Sequence, residues 1–278
     1  MNRKALLLVT IISYIHIYNV GFTACAEDET ETKEVQAERI VLFSEFGAAD
    51  FTCTGLTYDA ADDAFWLGDY GALHAGDPVR PRLIEVDRAF GAVLREMDVA
   101  AVLDASTNLQ GVAYDGRDDC LWVAVGRDVA AIGKDGRLLG MIDMGPYAEH
   151  LANGIAYDEA DDSLWVLCAS SYLLHFGKEG ALLGEFLFQY AAQDHLCIYG
   201  GDLYATVGAD YWGRNNYVYK VSMADGRVLS RYRTAQAYAL EGLCCVDGKI
   251  LIANDGLYHL DPIGRSYLSI YDTPQLEE

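Results

Sequence analysis

The sequence predicts an all-β fold, a β-propeller of four-stranded antiparallel blades, five in number. Three observations point there. First, the phrase Gly55-Leu-Thr-Tyr58-Asp59-Ala-Ala-Asp62-Asp63-Ala-Phe65-Trp66 returns from Gly111 to Trp122 and again from Gly154 to Trp165, with looser copies from His195 to Tyr204 and from Gly242 to Leu251. Second, the copies begin at 55, 111, 154, 195 and 242, giving steps of 56, 43, 41 and 47 residues. A period of about 40–50 residues carrying several short strands marks a propeller or a related array. Third, short apolar runs alternate with polar turns, and no segment past the N-terminus has a sustained helical period. A six-bladed ring with one blade too degenerate to recognise is the alternative.

Residues 1–25 read as a targeting segment. Arg3 and Lys4 precede an apolar stretch, and Phe22-Thr23-Ala24-Cys25-Ala26 fits either a lipoprotein cleavage site with Cys25 as the lipidated residue or an ordinary A-x-A signal cleavage. Either way the expected address is extracytoplasmic: periplasmic or cell-surface, with membrane contact only through a lipid anchor, or secreted. Residues 26–38 are acidic and lack apolar periodicity, so they are expected to form a flexible tether. Residues 39–278 are expected to form a single propeller domain.

Arg39–Phe46 is apolar and β-branched enough for a strand, and is expected to close the ring against the last blade. Blade one is expected to use Gly55–Tyr58, Phe65–Gly68, Arg82–Val86 and Val93–Met97. The Asp-rich segment between its first two strands suits a tight turn. Blades two to four repeat the scheme. Blade five is expected to use Leu243–Val246, Ile250–Ala253, Leu257–Leu260 and Tyr267–Tyr271. The turns between third and fourth strands also rhyme, as Lys134-Asp-Gly136, Lys178-Glu-Gly180 and Ala224-Asp-Gly226. Such X-Gly turns are hairpin signals.

With 20 basic against 42 acidic residues the net charge is −22. That surface repels phosphate backbones and excludes nucleic acid as a partner. Of seven cysteines, Cys25 belongs to the targeting segment. Cys53, Cys120, Cys168, Cys197, Cys244 and Cys245 make no C-x-x-C pair and no zinc spacing. They read as small apolar residues, with Cys197 and Cys244 in the same register of two repeats.

The phrase G-[LVI]-x-Y-D-x-x-D-D-x-[FL]-W followed by a K-x-G turn resembles the SdiA-regulated family of bacterial extracytoplasmic propellers, and more widely the NHL and regucalcin/gluconolactonase-like propellers. The gluconolactonase-like resemblance implies a divalent metal, such as Ca²⁺, held over the axis. Asn153-Gly154 and Glu241-Gly242 are similar to its ligand-bearing strand starts, while its aspartate corresponds to Cys168 or Ala169. Plant-type glutaminyl cyclases are similar in the run Leu151 to Asp158. Their glutamate-bearing segment becomes Leu67-Gly-Asp-Tyr-Gly71, which makes Asp69 the matching acid.

A propeller sets the start of each innermost strand beside its axis. The residues just before each repeat are Thr54, Gln110, Asn153, Asp194 and Glu241, all polar and all different. A varied polar ring suits a ligand site, and also suits a channel lined for water. The loops expected at the same mouth bring Asp69, Tyr70, His74, Arg127, Asp128, Ser170, Asp210, Tyr211, Trp212, Arg214, Asn254 and Asp255. Asn153, Glu241 and Asp255 are the candidate metal ligands, their oxygens suiting a hard cation. Without a cation such clustered acids repel, and one takes a raised pKa. His195, beside Asp194, is read as a structural hydrogen-bonder rather than a general base. No catalytic residue is assigned. The expected function is binding of a small ligand or protein partner at the axial mouth, with a metal-dependent hydrolase or lactonase as the alternative and a glutaminyl-cyclase-like acyltransferase as the second.

Overall fold

A computed structural model describes residues 32–73, 77–103, 108–144, 147, 151–188, 193–207, 216–235, 238–256, 258 and 264–272. It contains five antiparallel blades. Blade one is β3 (Cys53–Asp59), β4 (Ala64–Asp69), β5 (Arg82–Asp87) and β6 (Val93–Asp98). Blade two is β7 (Leu109–Asp115), β8 (Cys120–Val125), β9 (Asp128–Gly133) and β10 (Leu138–Asp143). Blade three is β11 (Ala152–Asp158), β12 (Ser163–Cys168), β13 (Tyr172–Gly177) and β14 (Leu182–Leu187). Blade four is β15 (Gln193–Tyr199), β16 (Asp202–Val207), β17 (Tyr217–Val221) and β18 (Val228–Thr234). Blade five is β19 (Leu240–Val246), β20 (Lys249–Asn254), β21 (Tyr267–Asp272) and, from the chain's other end, β2 (Arg39–Leu42).

The ring thus closes through the N-terminal strand. β2 runs antiparallel to β21, with Val41 opposite Leu268. This corrects two expectations. Tyr267–Asp272 is the third strand of blade five, paired directly with β20, so Leu257–Leu260 is not needed as a strand; Leu257, His259 and Leu260 lie outside the described residues. The strand expected over Arg39–Phe46 stops at Leu42, where Phe43–Phe46 forms a short 3-10 turn that drops Phe43 and Phe46 into the core. The expected flexible tether is also corrected in part. β1 (Thr32–Val35) adds in parallel to the outer edge of β18, with Arg233 and Arg231 reaching Glu34 and Thr32. An exposed sheet edge accepts such a strand readily, because its unpaired N–H and C=O groups need partners.

The repeated phrase works as a clamp between blades. Asp59 closes its own turn by accepting from the Ala61 and Asp62 amides, and takes the Trp66 indole N–H at 3.2 Å. Asp63 sits at φ 50°, a left-handed conformation that aspartate tolerates, and accepts from the Tyr58 hydroxyl. Lys134, from the K-x-G turn one blade on, then reaches Asp59 at 2.6 Å, Asp62 at 3.2 Å and Asp119 at 2.5 Å. Lys178 repeats this on Asp115, Asp118 and Asp162. Arg88 of blade one closes the seam to blade five through Asp247 and Asp63.

The pattern lapses at blade four, where Ala224 stands in the lysine's place. There Asp161 turns instead to Ser163 and His175, and the Trp165 indole nitrogen, stacked on His175 at 4.2 Å, has no hydrogen-bond partner among the described residues.

Candidate axial site

Each innermost strand is bulged at the polar residue that precedes the repeat. Cys53 pairs with Asp69 and Gly55 with Gly68, which leaves Thr54 as the extra residue. The same slip occurs at Gln110, Asn153, Asp194 and Glu241, with His195 and Gly242 caught in the last two. A bulge re-aims the side chain it carries. The polar ring is therefore a product of backbone geometry repeated five times.

Below the bulges the strands crowd the axis. A Cβ on Gly111 would stand 2.5 Å from the Asn153 carbonyl oxygen, and one on Gly154 2.7 Å from the His195 Cα. Only glycine fits there. Blade four breaks the rule with His195, whose imidazole crosses the axis. Its Nε2 faces the Val112 amide at 3.2 Å and its Nδ1 the Leu243 amide at 3.3 Å. Burial holds the ring neutral and brings its pKa down to about 4. A neutral ring keeps one nitrogen free to accept from one of these amides, whereas a protonated ring has none left to accept from either. His195 is thus a structural plug of the axis. On its far side lies a cavity of about 170 Å³, lined by residues 56–58, 112–114, 155–157, 196–198 and 243–245.

On the mouth side the candidates sort into two groups. Thr54 is 3% exposed and donates to the Leu109 carbonyl of the next blade, so it stitches strands together. Thr206, which the sequence reading passed over, does the same between His195 and the Glu241 carbonyl. Asn254 spends its amide on Ile252, Ser269 and Tyr238. Asp69 is buried and accepts from Arg82 at 2.7 Å and from the Thr52 and Gly71 amides. Burial lifts its pKa against these donors, and its oxygens are committed to holding the loop.

Glu241, Asp255 and Asp194 form the other group. Glu241 is hydrogen-bonded to Asp255 and feels the charge of Asp194. Both Glu241 and Asp255 are buried, at 8% and 2% exposure. Burial pushes the Glu241 carboxyl well above the usual range, and the two aspartates push it further. Two carboxyls hydrogen-bond to each other only when one carries the proton. Cys53 lies close enough for Asp69, Glu241 and Asp255 to raise its thiol, after burial as the main cause. Tyr70 and Tyr258 flank this corner with rings 5.2 Å apart and hydroxyls hydrogen-bonded, and Tyr258 also feels Asp255. Tyr258 is a site residue the sequence reading missed, because it falls where a strand was expected.

Gln110 and Asn153 are partly buried at their bulges, and Asp128 is raised by burial and by Asp143. His74, Asp210, Tyr211, Trp212 and Arg214 lie outside the described residues, as does Cys25.

Among the described residues, one group of three or more acids, histidines or cysteines has ligand atoms all within 4.8 Å of one another: Asp59, Asp62 and Glu85, at the clamp. Lys134 and Arg95 already neutralise it. Asp194, Glu241 and Asp255 do not close to that tightness.

No protein-family model matches the chain, and no curated protein matches it significantly. Solved structures do. The chain is similar to the glutaminyl cyclase of Myxococcus xanthus with a TM-score of 0.62 and 14% identity, covering 88% of this chain and 100% of that one. It is similar to a protein of unknown function from Bacteroides caccae with a TM-score of 0.49 and 14% identity, covering 73% and 70%. At that level of identity the likeness to the cyclase is one of fold: this chain is a five-bladed β-propeller whose fold resembles that enzyme's over 88% of this chain.

Proposed function

We propose that the axial mouth binds a small amine-bearing ligand, with Glu241 and Asp255 sharing one proton and Asp194 supplying further negative charge. The observation that carries this reading is the buried hydrogen bond between the Glu241 and Asp255 carboxyls. An ammonium group entering beside it supplies the countercharge that the proton now supplies, so binding is expected to release that proton to solvent. Tyr70 and Tyr258 offer aromatic faces beside the pair, which favours cations.

The test is isothermal titration with glutamine amide, and with its analogue lacking the α-amine, in two buffers of different ionisation enthalpy. Saturable heat that differs between the buffers, needs the amine and vanishes in Glu241→Gln supports the reading. Heat that is buffer-independent, or that both compounds give equally, sinks it.

The fold shared with the Myxococcus xanthus glutaminyl cyclase favours one catalytic extension. In cyclisation of an N-terminal glutamine the α-amine attacks the side-chain carboxamide carbon, a C–N bond forms, and ammonia leaves. A proton must pass from the attacking to the departing nitrogen. A carboxyl pair holding one proton has both an acceptor and a donor for that transfer. The committed hydrogen bonds of Asp69 move this role from the position matched in sequence to Glu241 and Asp255. Ammonia release from a glutaminyl peptide, abolished in Glu241→Gln, is the expected result. Binding without ammonia release would leave a ligand-binding propeller and no enzyme.

A further inference from the structure

We propose that Cys197 and Cys245 form a reversible disulfide that staples blade four to blade five on the floor of the propeller, a site independent of the ligand proposed for the mouth. The Cys197 and Cys245 sulfurs are 3.3 Å apart, on neighbouring innermost strands. Both side chains are partly exposed, and both line the cavity below His195. The other described cysteines, Cys53, Cys120, Cys168 and Cys244, are buried.

The pairing follows from a rule of the ring. The third residue of each repeat points at the fourth residue of the next blade. Thr57 accepts from the Tyr114 amide, Cys244 from the Tyr58 amide, and Cys197 from the Cys245 amide. Elsewhere this contact joins a hydroxyl, thiol or methyl to a tyrosine or isoleucine position. Only between blades four and five do cysteines occupy both places. The same rule keeps Cys244, adjacent in sequence, turned toward blade one and away from Cys197. A disulfide bond of about 2.05 Å asks each sulfur to move about 0.6 Å from its present place.

The position also has a mechanical reason. Lysine or arginine clamps close the seams between blades one and two, two and three, and five and one. The seam between blades four and five has no such clamp from the repeat motif, because Gly200-Gly201 replaces the aspartates of the turn. A disulfide would tie it covalently. It would also fix the two strands that carry Asp194 and Glu241, three and four residues upstream of the sulfurs.

The chemistry is exchange with a small disulfide. One cysteine thiolate attacks the oxidant's sulfur and expels the first thiolate, giving a mixed disulfide. The second cysteine attacks the first and expels the other thiolate. Two thiols are oxidised, one disulfide is reduced, and the two thiol protons pass to the leaving groups. The expected extracytoplasmic address supplies oxidants of this class. Burial and the Cys245 thiol push the Cys197 thiol up, so bond formation should quicken with rising pH.

The test uses the full chain, reduced and then treated with hydroxyethyl disulfide. The protein is alkylated in denaturant, digested and mapped by mass spectrometry. The expected result is one intramolecular cross-link, Cys197–Cys245. It should be reversed by reductant, absent in Cys197→Ser and in Cys245→Ser, and accompanied by a rise of several degrees in the unfolding midpoint of the wild type alone. Six or more alkylated cysteines after oxidation would overturn the proposal. So would a cross-link through Cys244, or one that joins two chains through Cys25.

Discussion

Replacing Lys134 with methionine tests the clamp that the repeated motif encodes. The Lys134 ammonium is only 10% exposed and touches three carboxylates, of which Asp59 is fully buried while Asp62 and Asp119 are 39% and 63% exposed. Burial works to lower its pKa, but the hydrogen bonds it donates to Asp119, Asp59 and Asp62 outweigh that and hold the pKa above its usual value. Methionine keeps the stem packed against Tyr114, whose ring lies under the ammonium at 4.8 Å, and removes only the charge. The contacts to Asp62 and Asp119 are worth little, because solvent screens them. Asp59 decides the outcome. Removing one partner of a buried pair costs roughly 3–5 kcal/mol. Asp59 retains the Trp66 indole and two amides, which places the expected loss at the low end, about 3 kcal/mol. The assay is urea unfolding followed by tryptophan fluorescence, with Asp59→Asn and the double variant completing a cycle. A loss under about 0.5 kcal/mol, the scale of an ordinary surface substitution, would refute the clamp. So would additive single variants, since coupled partners in one network should not add.

Four further outcomes follow from the same geometry. Ala224→Lys restores the missing clamp toward Asp158 and Asp161, and should raise stability by about 0.5–1 kcal/mol in the same urea assay. Glu241 holds its proton in the folded state to a higher pH than in the unfolded chain; stability from this source is therefore full below the ordinary carboxylate pKa and falls as pH rises through the folded one. Each unit of separation is worth about 1.4 kcal/mol, so Glu241→Gln should flatten that decline, and identical pH profiles would refute the assignment. His195→Gly empties the axis and removes the one ring nitrogen that accepts from the Val112 or Leu243 amide, costing about 2–4 kcal/mol. Thermal unfolding with EDTA, Ca²⁺, Mg²⁺ or Zn²⁺ separates a proton from a metal at the mouth: the shared proton predicts no shift. A cation at 100 times its dissociation constant would add about 2.7 kcal/mol, and if Glu241→Ala abolished that gain, Glu241, Asp255 and Asn153 would be its ligands.

What the sequence disclosed was set by what repeats. The blade count, the hairpin turns and the polar residue ahead of each repeat follow from five-fold recurrence, because each blade solves the same packing problem. The lysine clamp was equally written there, since Lys134 and Lys178 precede their glycines at the same place in successive turns. What hid it was distance: Lys134 lies 72 residues from Asp62, and a turn signal describes only its own hairpin. Leu257–Leu260 looked like a third strand of blade five because it is apolar and falls at the right interval. The N-terminal β2 supplies the fourth strand instead, so only three remain to be found at the C-terminal end. β1 was obscured by composition, since Thr32-Lys-Glu-Val35 gains its order from the edge of β18 rather than from a core of its own.

Site chemistry was less legible because it lives where the repeats differ. Asp69 and Glu241 look alike in sequence, each an acid beside the axis. Arg82 and two amides turn Asp69 into a loop anchor, whereas Glu241 meets a second carboxyl and must share a proton. The difference lies in the partners, which come from strands and loops far along the chain. Cys197 and Cys245 make the same point. Register alone pairs Cys197 with Cys244, its counterpart in the next blade. The ring sets the third residue of one blade against the fourth of the next, so the sulfur that faces Cys197 belongs to the neighbour one position on. The backbones of equivalent positions crowd one another at the axis, but the side chain at the third position meets the fourth residue of the next blade. A functional pair must therefore be sought one step off the repeat.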